Sequence, residues 1–275
     1  MSNSLVIIPT YNEYLNIGDL INRIFSLELP FDILVVDDDS PDGTGEVVKK
    51  LQQQFGGLHL ITRENKSGLG TAYIRGFQWA LDQDYEYIFQ MDADFSHDPR
   101  DLVRLYLTCA EERFDLCIGS RYITGVNVVN WPVGRVLLSY CASIYVRFIT
   151  SLPIQDTTAG FKCYRRRVLE SIDLSKIKFV GYAFQIEMKF ATWKQGFKIK
   201  EIPIVFTDRT KGESKLSKGI FKEAVFGVLK MKIRGWLGRY EPLVKPDRLN
   251  WADPGNDPGR QKQYQAYNQE GQQIK

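Results

Sequence analysis

The sequence predicts an α/β fold, a mostly parallel sheet with helices on both faces. Two observations carry this. Short apolar runs alternate with amphipathic, helix-period segments through the first 120 residues. Acidic clusters, Asp37-Asp38-Asp39 and Asp92-Ala93-Asp94, directly follow two of those runs. In parallel sheets ligands collect beyond the carboxyl ends of the strands, which is where such clusters would lie.

Taken in order, strands are expected at residues 5–9, 31–37, 58–63, 85–91 and 116–120. Helical patterns fill the gaps at 16–27, 44–55, 69–82 and 99–111. Asp98 followed by Pro99 reads as an N-cap and a first-turn proline, a helix start. The second half is less regular: an apolar helix at 131–152, a strand at 159–164, a helix at 183–195, a strand at 198–206 and an amphipathic helix at 218–237. No internal repeat is visible. Residues 1–240 form one expected domain, and 241–275 a tail rich in Gln, Asn, Pro and Gly, largely disordered by composition.

The chain has 275 residues, 44% of them hydrophobic and 25% charged, as in an ordinary soluble globular protein. A net charge of only +3 gives no reason to expect nucleic acid as a partner. Cys109, Cys117, Cys141 and Cys163 form no C-x-x-C pair and read as small core residues of a reducing compartment. His59 and His97, the only histidines, are too few for a His-based metal centre. The first strand follows the N-terminus with no signal peptide before it, so a cytoplasmic location is expected. Arg135 and Arg147 interrupt the apolar stretch at 131–152, leaving less than the roughly 20 residues a spanning helix needs.

Asp92 and Asp94 are one residue apart at the end of the fourth strand, a spacing that puts both side chains on one side. Two oxygen ligands there suit a hard divalent cation, Mg²⁺ or Mn²⁺, which takes phosphate oxygens as further ligands. A solvated turn is the plain alternative. A carboxylate of the Asp37–Asp39 group suits ribose hydroxyls or a base edge, although Pro41-Asp42-Gly43 also favours a turn. After the first strand the chain reads Pro9-Thr10-Tyr11-Asn12-Glu13. No glycine-rich phosphate loop stands there, which argues against a dinucleotide-binding oxidoreductase and a P-loop enzyme.

"VIIPTYNE", "VVDDDSPDGT", "NKSGLGTAYIRGF", "QMDADFSHDP" and "GSRY" occur in this order. Together they resemble the family 2 glycosyltransferases of the GT-A fold. "DTTAGFKCYRR" and "DRTKGESKL" narrow the resemblance to dolichyl- or polyprenyl-phosphate mannosyltransferases, over residues 5–237. The resemblance implies inverting transfer of a mannosyl group from GDP-mannose to a lipid monophosphate. It implies that Pro9, Tyr11, Glu13, Val36 and Asp38 bind the donor's nucleoside. Asp92, Ala93 and Asp94 match the metal and diphosphate site, with Ser96 in the place of a third, weaker ligand. Arg121, Arg135 and Ser139 match positions for the acceptor phosphate. Arg209 and Lys215 match a mobile basic loop that closes on the donor, and Asp156 a carboxylate near the sugar. Asp94, Arg121 and Asp156 are thus the expected catalytic residues.

Plain readings stand beside these. Arg121 could simply pair with a nearby Asp. Arg135 is harder to dismiss, because an unpaired charge in an apolar segment is costly. The helix at 218–237 presents Ile220, Phe221, Ala224, Val225, Val228, Leu229 and Trp236 on one broad face, with Lys218, Lys222, Lys230, Lys232, Arg234 and Arg239 around it. Such a helix either lies on an anionic membrane surface or packs on the core. A small membrane-anchoring partner is a third way to the lipid. Another sugar donor such as UDP-glucose, a nucleotidyltransferase and a non-enzymatic membrane-surface scaffold are the alternative functions. The first keeps nearly every motif, and the last leaves the acidic and basic clusters unexplained.

Overall fold

The structure is a computed structural model that describes residues 2–64, 67–208 and 220–244, with the side chains of Tyr182 and of residues 220–225 left aside. The strands are β1 (Ser4–Thr10), β2 (Asp32–Asp37), β3 (Leu58–Thr62), β4 (Tyr87–Gln90), β5 (Leu116–Ser120), β6 (Val128–Val129), β7 (Lys162–Arg165), β8 (Ile199–Pro203) and β9 (Phe206–Thr207). The helices are α1 (Tyr14–Phe25), α2 (Thr44–Gln52), α3 (Leu69–Leu81), α4 (Asp101–Ala110), α5 (Val133–Thr150), α6 (Arg166–Ser171), α7 (Tyr182–Lys194) and α8 (Ile220–Trp236).

Seven strands form the main sheet in the order β3-β2-β1-β4-β7-β5-β8. All pairings are parallel except those of β7, which runs antiparallel to both β4 and β5. Strand order reverses between β1 and β4, and that switch point opens a crevice at the carboxyl ends of both strands. Alternation along each strand fills two cores. Val6, Ile8, Ile33, Val35 and Phe89 meet Ile17, Leu20, Ile21 and Ile24 of α1. Leu5, Ile7, Leu34, Val36 and Ile88 meet Tyr73 and Phe77 of α3 and Phe184 of α7 on the other face. Coverage of both faces explains why the strands read as continuous apolar runs.

Several boundaries differ from expectation. The strand expected at 85–91 ends at Gln90, so Asp92 and Asp94 lie in the following loop and not on the pleat. Helix α4 starts at Asp101 rather than at Pro99. The Asp98 carboxylate accepts from the Arg100 N–H at 2.9 Å, making a turn that leads into the helix. The strand expected at 198–206 splits after Pro203, and its end pairs with β6 as a separate two-stranded ribbon. Of the tail expected at 241–275, all but residues 241–244 lies outside the described residues.

By length and composition helix α5 is the one helix among the described residues long and apolar enough to cross a membrane. Its two arginines do not interrupt it as bare charges: Arg135 pairs with Asp208, and Arg147 donates to Gln155 Oε1. Most of α5 is open, including Leu137, Leu138, Ile144 and Phe148. Helix α8 packs on the core along one side. Val228 and Met231 are buried in the core, whereas Leu229, Ile233 and Trp236 are exposed.

Close packing of α3 on β1 generates a stability test. A Cβ on Gly76 would come within 2.7 Å of Ile7 Cγ2, whereas one on Gly134 would meet nothing within 4 Å. Gly76→Val should lower the unfolding free energy by about 1–3 kcal/mol through overpacking. Gly134→Ala should raise it by up to about 1 kcal/mol through helix propensity. Urea unfolding of the two variants checks both signs.

Candidate active site

Two loops close the amino-terminal side of the crevice. Thr10 Oγ1 donates to Asp37 Oδ1 at 2.7 Å, and the same carboxylate accepts from the Ser40 N–H at 2.9 Å. Ser40 Oγ and Thr44 Oγ1 then accept from the backbone N–H groups of Asn12 and Glu13. Asp37 is thus occupied in building the turn. Asp38, 8% exposed, is held by Arg63, whose Nε donates to its Oδ1 at 2.6 Å. Pro9 sits opposite Val36 in the β1–β2 register, so Pro9, Tyr11, Glu13, Val36 and Asp38 gather at one strand end. Val36 is fully buried toward α3, which leaves only its backbone for any ligand.

The loop after β4 carries Asp92, Ala93, Asp94 and Ser96. Tyr73 Oη donates to Asp92 Oδ1 at 3.3 Å, and the Ser96 N–H donates to Asp94 Oδ1 at 3.1 Å. Burial pushes the Tyr73 phenol well up, and Asp92 and then Asp94 add to the shift. Gly160 leaves room beside Asp92, where a Cβ would stand 3.6 Å from Oδ2. Lys162 is fully buried and hydrogen-bonded to Gln185 Oε1. Burial drives its ammonium well down and Lys189 adds to this, against the pull of Asp92 and Asp156. Among the described residues no group of three His, Cys, Asp or Glu side chains could hold a metal. Asp92 and Asp94 are a two-carboxylate set, and the buried Ser96 Oγ has no hydrogen-bond partner. This set fits a hard cation whose remaining ligands are water and phosphate oxygens.

Across the crevice, Arg121 follows β5 and grips Asp156. Its Nε donates to Oδ2 and its Nη2 to Oδ1, both at 2.7 Å, and its backbone N–H donates to Oδ2 at 3.0 Å. Asp156 has no exposed surface. Burial alone would raise its pKa, but Arg121 and Lys189 together outweigh burial and hold it below the usual carboxylate range. The plain reading of Arg121 is therefore correct as to its partner, and Asp156 orients Arg121. Lys189, fully buried, donates to the carbonyls of Asp156, Thr157 and Ala159 at 3.2, 2.8 and 2.7 Å.

Aromatic rings wall the Arg121 guanidinium: Tyr122, Trp131 and Phe206 have centroids 5.2–5.5 Å from its Cζ. Arg135 stands 4.2 Å over Trp131 and donates to Asp208 at 3.0 Å. This ion pair, not a bare charge, is what its helix end carries. Ser139 lies one turn further along α5, beside the Tyr122 hydroxyl. Arg121, Arg135 and Ser139 thus share one region. The β9 strand ties it to the loop of Asp92–Ser96, for the Thr207 N–H donates to Ser96 O at 3.1 Å and the Asp208 N–H to Val129 O at 3.0 Å. Arg209 and Lys215 lie outside the described residues.

Sequence reasoning missed Arg63, Tyr73, Lys162, Lys189, Trp131 and Asp208. The two lysines had a signal, a charge inside the apolar runs "GFKCY" and "IEMKF". The others look like ordinary surface or core residues until the fold brings them together.

Comparison with known proteins agrees with this geometry. The profile of the family described as glycosyl transferase family 2 matches residues 5–173. A polyprenol monophosphomannose synthase of Mycolicibacterium smegmatis is 45% identical over 243 residues, 88% of this chain and 91% of that protein. An undecaprenyl-phosphate mannosyltransferase of Micrococcus luteus is 43% identical over 239 residues, 87% of this chain and 96% of that protein. Among solved structures, a glucosyl-3-phosphoglycerate synthase from Mycobacterium tuberculosis, in complex with Mn²⁺, UDP and glucosyl-3-phosphoglycerate, superposes with a TM-score of 0.57 at 17% identity, covering 86% of this chain and 78% of that one. A mannosyltransferase from Pyrobaculum calidifontis in complex with GDP-Man and Mn²⁺ gives 0.52 at 16% identity, covering 86% and 74%. These two likenesses establish the fold.

The buried lysines make stability depend on pH. Burial lowers Lys189 to about 7 in the folded protein. The unfolded chain keeps that proton to about pH 10.4. Between these values the unfolded state binds more protons, so stability climbs as pH rises. Burial also raises the Cys117 and Cys163 thiols, which opposes the climb once unfolded thiols ionise near pH 8.5. From pH 7 to 8.5 Lys189 should contribute a rise of up to about 2 kcal/mol in the unfolding free energy, and Lys162, whose ammonium burial also drives well down, adds to it. Lys189→Met should flatten that slope in urea titrations at several pH values, and parallel slopes would remove Lys189 as its source.

Proposed function

This chain belongs to glycosyl transferase family 2, and we propose that it transfers a mannosyl group from GDP-mannose to polyprenyl or dolichyl monophosphate with inversion, assisted by Mg²⁺ or Mn²⁺. The names of the two curated relatives support the sugar and the lipid-phosphate acceptor. The observation that carries the reading is the join between two clusters of opposite charge. The Asp92–Asp94 loop and the Arg121–Arg135 region meet through the Thr207–Ser96 hydrogen bond. A phosphate acceptor needs cations, and a nucleoside diphosphate with its metal needs carboxylates.

In this reading Pro9, Tyr11, Glu13, the Val36 backbone and Asp38 hold the nucleoside. Asp92 and Asp94, with Ser96 beside them, would hold the metal. When bound, that cation neutralises the donor diphosphate and the charge it gains on leaving. An acceptor phosphate oxygen forms the new bond to the anomeric carbon as the bond to the nucleoside diphosphate breaks. The electron pair leaves with the diphosphate. A lipid monophosphate has a second pKa of about 6 and is largely dianionic near neutral pH, so no side chain has to take its proton. Asp156, enclosed and bound to Arg121, is consistent with that: it fixes the guanidinium and leaves the sugar to other groups. Arg121, Arg135 and Ser139 receive the acceptor phosphate, which replaces Asp208 on Arg135. The family resemblance assigns Arg209 and Lys215 to the donor as well.

The lipid brings the enzyme to a membrane. The open apolar residues of α5 and α8, with Lys230 and Arg239 exposed nearby, form the face that would rest on an anionic surface, on the cytoplasmic side. The same face suits a small membrane-anchoring partner.

Purified protein incubated with polyprenyl phosphate and divalent cation should form lipid-phosphate mannose from GDP-mannose and little glucosyl product from UDP-glucose, and product from UDP-glucose alone would change the sugar. Asp94→Asn should keep the fold by circular dichroism and lose most transfer. Excess chelator should silence the wild type reversibly, and full activity in chelator would remove the metal.

Arg135→Ala separates acceptor from donor. Losing one charge-assisted phosphate contact costs about 1.5–3 kcal/mol. Acceptor use should therefore fall roughly ten- to a hundredfold, with calorimetric donor affinity nearly unchanged. An equal fall in donor affinity would place Arg135 at the donor's diphosphate.

A further inference from the structure

His97 is 3% exposed, and neither ring nitrogen has a hydrogen-bond partner. Its ring stacks on Phe161 at 4.8 Å and meets Phe206 edge-on at 5.2 Å. Nε2 points at Asp92, 3.7 Å from Oδ2. A histidine that served only to fill this aromatic stack would be poorly chosen. A buried polar atom without a partner is costly, and phenylalanine would fill the same space without that cost. The two Asp92 oxygens face different groups, Oδ1 the Tyr73 hydroxyl and Oδ2 the His97 imidazole. The Asp92 side chain keeps 36% of its surface open. A separation of 3.7 Å is too long for a hydrogen bond. It becomes one if the side chains close by about half an ångström or more.

We propose that His97 is a positioning residue whose Nε2–H holds the Asp92 carboxylate in the orientation that receives the divalent cation. This rests on the metal reading above. Groups that orient a metal-binding carboxylate fix its lone pairs before the metal arrives, and losing one typically weakens metal affinity 10- to 100-fold. Position adds a second effect. Phe206, against which the ring rests, also walls Arg121. One imidazole therefore touches both the metal carboxylate and the aromatic wall of the acceptor side.

The test uses Mn²⁺ as the probe, titrated calorimetrically into the full chain in the presence of GDP, for the wild type, His97→Phe and His97→Gln. His97→Phe keeps the stack and loses the N–H. It should melt at or above the wild-type temperature yet bind Mn²⁺ at least about tenfold more weakly. His97→Gln restores an N–H near the position of Nε2 and should stay within about threefold of the wild type. In turnover the Mn²⁺ concentration for half-maximal rate should shift for His97→Phe, with kcat at saturating Mn²⁺ largely kept. Wild-type affinity in His97→Phe overturns the proposal and leaves the metal reading intact. Equal losses in both variants overturn it too, because they make the ring a spacer only. No Mn²⁺ binding by the wild type overturns both the proposal and the metal reading.

Discussion

The site depends on a carboxylate that water cannot reach. Asp156 is enclosed, and an isolated buried carboxylate costs several kcal/mol. Arg121 offsets that cost with three hydrogen bonds, two from its guanidinium and one from its own backbone. Lys189 is equally enclosed and meets its own cost on the carbonyls of the same short loop. Neither charge is tolerable without the loop in its observed path. The interactions that make Arg121 rigid therefore also fix the backbone running on to Gly160 and Lys162, next to Asp92. An arginine with this many constraints has little rotamer freedom left to lose on binding an anion, such as the acceptor phosphate proposed for it.

The direction of one strand makes these contacts possible. Because β7 runs antiparallel between β4 and β5, its amino end lies at their carboxyl ends. The loop that feeds it arrives at the same edge as Asp92, after β4, and Arg121, after β5. A parallel strand in that place would deliver Asp156 to the opposite edge of the sheet, away from both. The ribbon of β6 and β9 works similarly at a smaller scale. It carries Phe206 and Asp208 over Arg121, Trp131 and Arg135, and it is pinned to Ser96 by one backbone bond.

The parts of this arrangement that were legible in the sequence are those where one strand or helix decides the outcome. Alternating periods placed β1 to β5 and α1 to α4 within a few residues, and acidic clusters after β2 and β4 marked the crevice. Boundaries failed where a side chain rewrites the backbone. Asp98 turns the chain before α4, and β8 stops at Pro203. The pairings were not legible. A strand near residues 159–164 was visible but its direction was not, so Asp156 could be placed near the sugar yet not beneath Arg121. Arg135 looked like a bare charge because Asp208, its partner, is 73 positions away. His97 was weighed only as a metal ligand, since sequence shows neither its burial nor the carboxylate it faces.

The four cysteines acquire different chemistries from the fold. Cys109, Cys117 and Cys163 are buried, and burial holds the thiols of Cys117 and Cys163 in their protonated, unreactive form. Cys141 is exposed, midway along the outer surface of α5, among the residues that carry the open apolar face. A maleimide dye added to the native protein would therefore attach to α5 and leave the sheet untouched. The unaltered chain holds one addressable reporter, on the face proposed above to rest on lipid.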